Sequence, residues 1–400
     1  MSGPARAVAV CALLGLLSAC GAEAPPGAEA PPGVEAPAGA EAPAGAQVPA
    51  DDAAAASGRQ VNFYNWSDYI DERVLTTFTA ETGIRVNYDY LTSNDELESK
   101  LVTGNSGYDL VVPTGHFFAA QQAAGYYQPL DRSRLANYGN LDPELLALLA
   151  QQDDPGNAYA IPYAWGTNGL AINDQAVAER LPNAPTDSWD LLFDPANAAR
   201  LADCGIAIVD AGDELAEIAL NYLGYAPQSS DIGQLREAMA LIARIRPYVR
   251  YFDSGQYIDD LANGEICVAL GWSGDVYQAI GDAREGVAVR YVIPREGTIL
   301  WFDLLAMPKD APNVDEAYAL IDFLLRPETA AALTNFTFYP SGNAAADPLV
   351  EPSIRSNGAV YPGPEVRERL FLHAHQSPAY VRTRNRLWTA VKAGRPLPPP

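Results

Sequence analysis

Residues 60–113, "QVNFYNWSDYIDERVLTTFTAETGIRVNYDYLTSNDELESKLVTGNSGYDLVVP", decide the fold. The stretch opens on an alternating, aromatic and β-branched run at 60–64, which predicts a strand. Residues 71–82 place Val74, Leu75 and Phe78 on one helical face, and Gly83 is a natural stop. A strand is expected at 84–91, a helix at 94–104 with Asp95 near its start, and a continuous apolar strand at 108–113. Strand-helix-strand-helix-strand order implies a parallel sheet covered on both faces. Ligands in such sheets bind at the carboxyl ends of the strands. The turn Asn65-Trp66-Ser67-Asp68-Tyr69 lies at one such end, and Thr114 at another.

Working outward, a second α/β set follows. Helices are expected at 213–224, 231–249 and 275–285, and strands at 205–210, 265–272, 287–294 and 298–308. Further helices fit 314–326 and 327–335, and the tail at 360–396 reads as mostly helical. Two sets of similar size predict two lobes.

The 400-residue chain carries 50 acidic and 26 basic residues, a formal charge of −24. Such a surface repels nucleic acid and attracts small cations. The first residues, "MSGPARAVAVCALLGLLSAC", give one arginine and a short apolar run, the pattern of a signal peptide at 1–19. The run ends in Leu17-Ser18-Ala19-Cys20, which resembles a bacterial lipobox and makes Cys20 the expected lipid anchor. Nothing else in the sequence approaches a membrane span. Residues 20–57 are dominated by a degenerate Pro/Ala/Gly hexad, which builds no core and reads as a tether. With Cys11 in the leader and Cys20 lipidated, Cys204 and Cys267 remain, and an oxidising compartment favours a disulfide between them. Two distant thiols with no nearby histidine make a poor metal site, so no metal or other cofactor is expected.

Several positions are wasteful as structure. Turns and strand ends carry Trp66, Ser67, Asp68, Tyr69, Thr114, His116, Trp272, Asp275, Trp301, Asp303 and Tyr339. Asp275 and Asp68 each have an alternative role as a helix cap. Trp301 and Phe302 have one as core. Taken together, aromatic faces and carboxylates bind alkylammonium ions. Several acids lining one cleft repel one another unless a multiply charged cation arrives, which points to a diamine or polyamine.

At this point the chain resembles the periplasmic polyamine-binding proteins, the putrescine and spermidine receptors of ABC importers, and more nearly the putrescine receptor. The resemblance rests on "NWSDYI", "GYDLVVPT", "AIPYAWGTNGLAIN", "LNYLGYAP", "RYFDSGQYIDDLANGEICVALGWSGDV", "WFDLLAMP" and "LLRPETAAAL". It implies an α/β, two-lobe type II periplasmic binding protein fold with a hinge and the ligand between lobes. The lobes would be 58–165 with 299–345, and 166–298 with 346–398. By position, the resemblance implies ligand contacts from Trp66, Ser67, Asp68, Tyr69, Thr114, Glu214, Trp272, Asp275, Trp301, Asp303 and Tyr339. It also implies a Cys204–Cys267 disulfide. Trp301 follows the spermidine receptors and Asp275 the putrescine receptors. His116 departs from both: it is either a pH-sensitive neighbour of a cation pocket or an exposed loop histidine.

His373-Ala374-His375 has no acidic or thiol neighbour in sequence and reads as a surface feature. "GWSGD" lacks the spacing of a nucleophile elbow, and the Asn65-Trp66-Ser67 sequon is taken as accidental. The expectation is a non-enzymatic, monomeric, lipid-anchored receptor in the periplasm. It would hand a polyamine to a membrane permease and touch the membrane only through its anchor. A sensor of the same amine, a periplasmic amine-processing enzyme, and an iron or anion receptor of the same fold are the alternatives.

Overall fold

A computed structural model describes residues 58–399. The signal peptide, Cys20 and the tether therefore lie outside the described residues. Strand β1 (Gln60–Trp66) lies between β2 (Arg85–Leu91) and β3 (Leu110–Val111) and is parallel to both. It runs two residues past the predicted end, so the turn begins at Ser67. The predicted strand at 108–113 contracts to Leu110–Val111, within a run that is buried from Asp109 to Val112.

Alternation along β1 explains why both faces are covered. Val61 and Phe63 pack in one cluster with Leu75 and Phe78 of helix α1 (Glu72–Thr82). Tyr64 packs in another with Leu97 and Leu101 of α2 (Asn94–Thr103). Each crossover helix thus presents its apolar stripe to the opposite side of the same strand. Local chemistry sets the helix ends. The Asp71 carboxylate accepts the Arg73 amide at the start of α1, and Gly83 closes it at φ 67°. Asp71, not Asp68, is therefore the cap.

The sheet as a whole is mixed rather than parallel, in the order β2-β1-β3-β9-β4-β7-β5-β6. Strands β5 (Ile206–Ile208), β6 (Tyr251–Phe252) and β7 (Val268–Trp272) are again parallel. The antiparallel character comes from β4 (Ala160–Asn173) and β9 (Thr298–Ala306). β4 is 14 residues long and buried throughout. Its first part, through Thr167, pairs with β9. From Asn168 onward it pairs with β7 and with β8 (Val289–Val292). Full burial removes the alternation by which a strand is read, and Pro162 and two glycines disguise it further.

Helix α3 (Gly115–Ala123) follows Thr114, and α4 is Pro143–Gln152. In the second set, α5 (Gly212–Tyr222), α6 (Ile232–Ile245) and α8 (Ser273–Gly281) match the expected positions within a few residues, while α7 (Gln256–Ala262) is a helix the sequence reading did not place. Next come α9 (Val314–Leu324) and α10 (Pro327–Thr337). The predicted helix at 231–249 gives way to a 3-10 turn at Arg246–Tyr248, where Pro247 removes an amide donor. The tail is less helical than expected. Strand β10 (Leu370–Phe371) precedes α11 (Pro378–Lys392), and the chain between them is held by side-chain contacts described below. Cys204 and Cys267 form the disulfide, closing a separation of 63 residues between helix-covered parts of this second set.

The chain-entropy cost of a loop that long sets an expectation. The Cys204→Ser/Cys267→Ser double variant should lose about 4 kcal/mol of unfolding free energy, checked by guanidinium denaturation without ligand.

Candidate functional site

The turn after β1 is built for display. Asp68 sits at φ 53°, a left-handed conformation that a short polar residue tolerates better than most. The Ser67 hydroxyl donates to its carboxylate at 2.9 Å, and both residues are exposed. Tyr69, next in sequence, points inward and is buried.

Three other acids lie deeper. Asp275 is in the first turn of α8, yet its side chain does not cap the helix. It accepts the Tyr257 hydroxyl at 2.8 Å and the Tyr339 hydroxyl at 2.6 Å. Burial lifts its carboxyl to about 6; the two hydroxyls resist the shift and the charge of Asp68 adds to it. Asp303 on β9 is 5% exposed. Burial lifts it to about 6 as well, against the nearby hydroxyls of Thr114 and Tyr69. Glu214 on α5 is buried, and its Oε2 accepts Asn168 Nδ2 at 2.6 Å and Trp272 Nε1 at 2.9 Å. Burial raises its pKa too, in spite of the positive charge on His373.

These groups form one connected assembly. The Trp272 amide donates to the Tyr257 hydroxyl at 3.2 Å, which joins the Glu214 pair to Asp275. Tyr339 then packs on Trp301 (centroids 5.1 Å) and on Tyr69 (5.3 Å). Thr114 forms a backbone bridge with Asp303 and is positioned by Asn94, whose Nδ2 reaches Thr114 Oγ1 at 3.0 Å. Room for the rings comes from small residues. Gly166 stands opposite Trp301 in the β4–β9 register, and a Cβ there would lie 2.6 Å from the Trp301 ring and 2.9 Å from Tyr339. A Cβ at Gly274 would lie 2.5 Å from Tyr339.

Trp66, Tyr69, Thr114, Glu214, Trp272, Asp275, Trp301, Asp303 and Tyr339 are thus brought together or to the edge of the same assembly, with Ser67 and Asp68 on its exposed side. Four of these residues carry a buried polar atom with no partner among the described residues: Trp66 Nε1, Tyr69 OH, Trp301 Nε1 and Asp303 Oδ1. Asp303 Oδ1 and the Tyr69 oxygen can accept from an ammonium; the indole nitrogens cannot. Sequence reasoning missed Tyr257, Asn168, Gly166 and Gly274. Tyr257 and Asn168 sit inside regular elements, where a polar atom gives no signal of its direction.

His116 is not an exposed loop residue. It lies in the first turn of α3, and its Nε2 meets Asp213 Oδ2 at 3.0 Å. Burial and the charge of His373 push its pKa down to about 4, against the pull of Asp213. The His-Ala-His pair is a surface feature only at His375, which is exposed. The His373 ring is buried, with Nδ1 3.0 Å from Glu217 Oε2, and it stacks on His116 at 3.8 Å. His375 pairs with Asp153 at 2.9 Å. The acidic partners are 156 and 222 positions away, beyond any local motif. Asn65, the sequon residue, is fully buried and donates to the Tyr88 hydroxyl, which leaves no place for a glycan.

Comparison with known proteins agrees with this geometry. Residues 73–360 match the family of bacterial extracellular solute-binding proteins. The chain is 47% identical over 346 residues to the putrescine-binding periplasmic protein PotF of Escherichia coli (strain K12), covering 85% of this chain and 93% of that protein. It is 34% identical over 314 residues to the spermidine/putrescine-binding periplasmic protein of the same organism, covering 78% and 86%. Among solved structures, a putative spermidine/putrescine ABC transporter from Listeria monocytogenes superposes with a TM-score of 0.76 at 31% identity. That match covers 84% of this chain and 100% of the other. These relatives are substrate-binding transport proteins rather than enzymes, and the α/β fold is theirs; the chain belongs to the bacterial extracellular solute-binding protein family.

Proposed function

We propose that this protein is the binding component of an ABC importer, which captures a di- or polyamine, putrescine foremost, and delivers it to the membrane permease. One observation carries the reading: Asp275, Asp303 and Glu214 are carboxylates held in an aromatic surround, and Asp303 Oδ1 is buried with no partner among the described residues. Carboxylates in such a place are costly alone and favourable once an ammonium pairs with them. Trp66, Trp272, Trp301 and Tyr339 would flank the methylenes. Asp68, Glu214, Asp275 and Asp303 would take the charged ends, with Ser67, Tyr69 and Thr114 as hydrogen-bond partners. The 47% identity to a putrescine-binding protein supports putrescine over spermidine.

Closure between two lobes is part of this reading. The boundary between 165 and 166 falls near the point where β4 exchanges β9 for β7, and the boundary between 298 and 299 at the start of β9. A ligand touching both sets of strands would favour the closed state in proportion to its differential affinity. The protein would act as a monomer in the periplasm, held to the membrane by lipid on Cys20. The lipobox-like Leu-Ser-Ala-Cys supports the anchor, and no helix among the described residues is long and apolar enough to cross a membrane. Cys20→Ser should move the protein from the membrane fraction to the soluble fraction; an unchanged distribution would refute the anchor.

Isothermal titration tests the binding reading. Asp275→Asn and Asp303→Asn should each weaken putrescine binding by about 2–5 kcal/mol, because each removes a desolvated partner of an ammonium. No heat from putrescine, cadaverine, agmatine, spermidine or spermine with the unaltered protein would sink the proposal.

The pH dependence has a defined sign. Ammonium binding requires the ionised carboxylates, and in the free protein Asp275 and Asp303 take up protons near pH 6. Protons therefore compete with the ligand below that point. Putrescine affinity should fall at least about tenfold between pH 7.5 and pH 5, and more steeply the more of Asp275, Asp303 and the likewise raised Glu214 must ionise.

A further inference from the structure

Both oxygens of the Asp275 carboxylate are held by tyrosines, and each tyrosine also holds the backbone of the same turn. Tyr339 donates to Asp275 Oδ1 at 2.6 Å and accepts the Asp275 amide at 3.2 Å. Tyr257 donates to Asp275 Oδ2 at 2.8 Å and accepts the Trp272 amide at 3.2 Å. A phenol carries a single proton, so an oxygen that takes a backbone N–H has its own O–H left for the carboxylate. The main chain at Trp272 and Asp275 and the Asp275 side chain are thus tied to the same two hydroxyls.

The two tyrosines are placed differently. Tyr339 packs on Trp301 and Tyr69, among the rings assigned to the ligand. Tyr257, in the first turn of α7, is 0% exposed, whereas Trp272 and Asp275 each keep part of their surface open. It stands behind the carboxylate and has no surface of its own to offer a ligand. Its ring is seated on β7 at Gly271, where a Cβ would lie 2.5 Å from it. Burial above all, and then the charge of Asp275, hold its pKa well above the ordinary phenol value, so it stays a donor wherever Asp275 is ionised. The titratable groups facing Asp275 are Tyr257 on α7, Tyr339 after α10 and Asp68 in the turn after β1; Tyr257 itself faces Asp275 and Tyr291 on β8.

We propose that Tyr257 is a positioning residue for ammonium capture: without touching the ligand, it fixes the direction of the Asp275 carboxylate and, through the Trp272 amide, the turn that carries the Trp272 indole. This role rests on the reading of Asp275 as an ammonium partner. A carboxylate anchored from behind keeps its remaining lone pairs for an incoming ammonium, and little ordering is left to be done on binding. With the anchor removed, the carboxyl can turn, and the ammonium must order it at a cost in affinity. The phenol has a second effect on the same group, because a hydrogen bond donated to the charged form favours that form. The Trp272 indole in turn donates to Glu214 at 2.9 Å, so the turn held by Tyr257 carries one partner of each of two acids.

A double-mutant cycle read by calorimetry with putrescine tests this role on the full chain. The unaltered protein is compared with Tyr257→Phe, Asp275→Asn and the double variant, and thermal unfolding without ligand reports that each is folded. Tyr257→Phe should weaken putrescine binding by about tenfold or more at pH 7.5. The same substitution should cost far less once Asp275 is Asn, because Tyr257 acts through that carboxylate. The loss should also be larger at pH 6.5 than at pH 8.5: with one donor gone, Asp275 takes up its proton above the present value of about 6. Gly271→Ala, which crowds the same ring and keeps its hydroxyl, is a second route to the displaced phenol and is judged in the same way. Unchanged affinity in Tyr257→Phe overturns the proposal. So does a loss that persists undiminished beside Asp275→Asn, or one that does not grow as the pH falls, since either means that Tyr257 serves the fold alone. An Asp275→Asn variant that binds putrescine as well as the unaltered protein is a different failure, which removes the ammonium reading of Asp275 itself.

Discussion

Holding ionisable carboxyls inside a wall of aromatic rings is the constraint on which the rest of the structure depends. A buried carboxylate without partners tends to neutralise by raising its pKa, and Asp275 and Asp303 have moved that way, to about 6. They stop there because hydroxyl donors surround them. Tyr257 and Tyr339 hold Asp275, while Thr114 and Tyr69 stand against Asp303. The balance leaves both groups ionised at neutral pH and poorly compensated, a state that a cationic ligand relieves. The negative charge of the whole chain, −24, adds a long-range attraction toward the same kind of ligand.

The fold supplies this arrangement through its two long antiparallel strands. Trp301 and Asp303 are two apart on β9, so they project from the same face. Their register partners on β4 are Gly166 and Ala164, the smallest residues available, which give the indole and the carboxyl space. The parallel strands add Trp66 and Thr114 at the ends of β1 and β3, and Trp272 and Asp275 at the end of β7. A mixed sheet is therefore functional: a purely parallel one would deliver strand ends but no through-running wall.

How much of this could be read in advance follows from how local each signal is. The β1–α1–β2–α2–β3 order was legible because amphipathic periodicity is local, and both helices cover the faces that the alternation in β1 assigns to them. The cluster of acids and tryptophans at strand ends was legible because such residues are expensive there as structure. β4 was not, since uniform burial erases alternation and Pro162 argues against a strand. The histidines were misread for a related reason: Asp213, Glu217 and Asp153 come from distant helices or their ends, so a local search found no partners. At the opening turn, Asp71 rather than Asp68 takes the cap, and Asp68, in its left-handed position, is exposed to solvent.

Counting protons directly tests the central claim, that poorly compensated carboxyls are paired by an incoming dication. Putrescine is titrated into the protein near pH 6 in two buffers of different ionisation enthalpy, and the difference in heat gives the protons exchanged. Net release on binding, because Asp275 and Asp303 give up the protons they hold in the free state, is the result the account predicts. Binding with no exchange, or with net uptake, would contradict it.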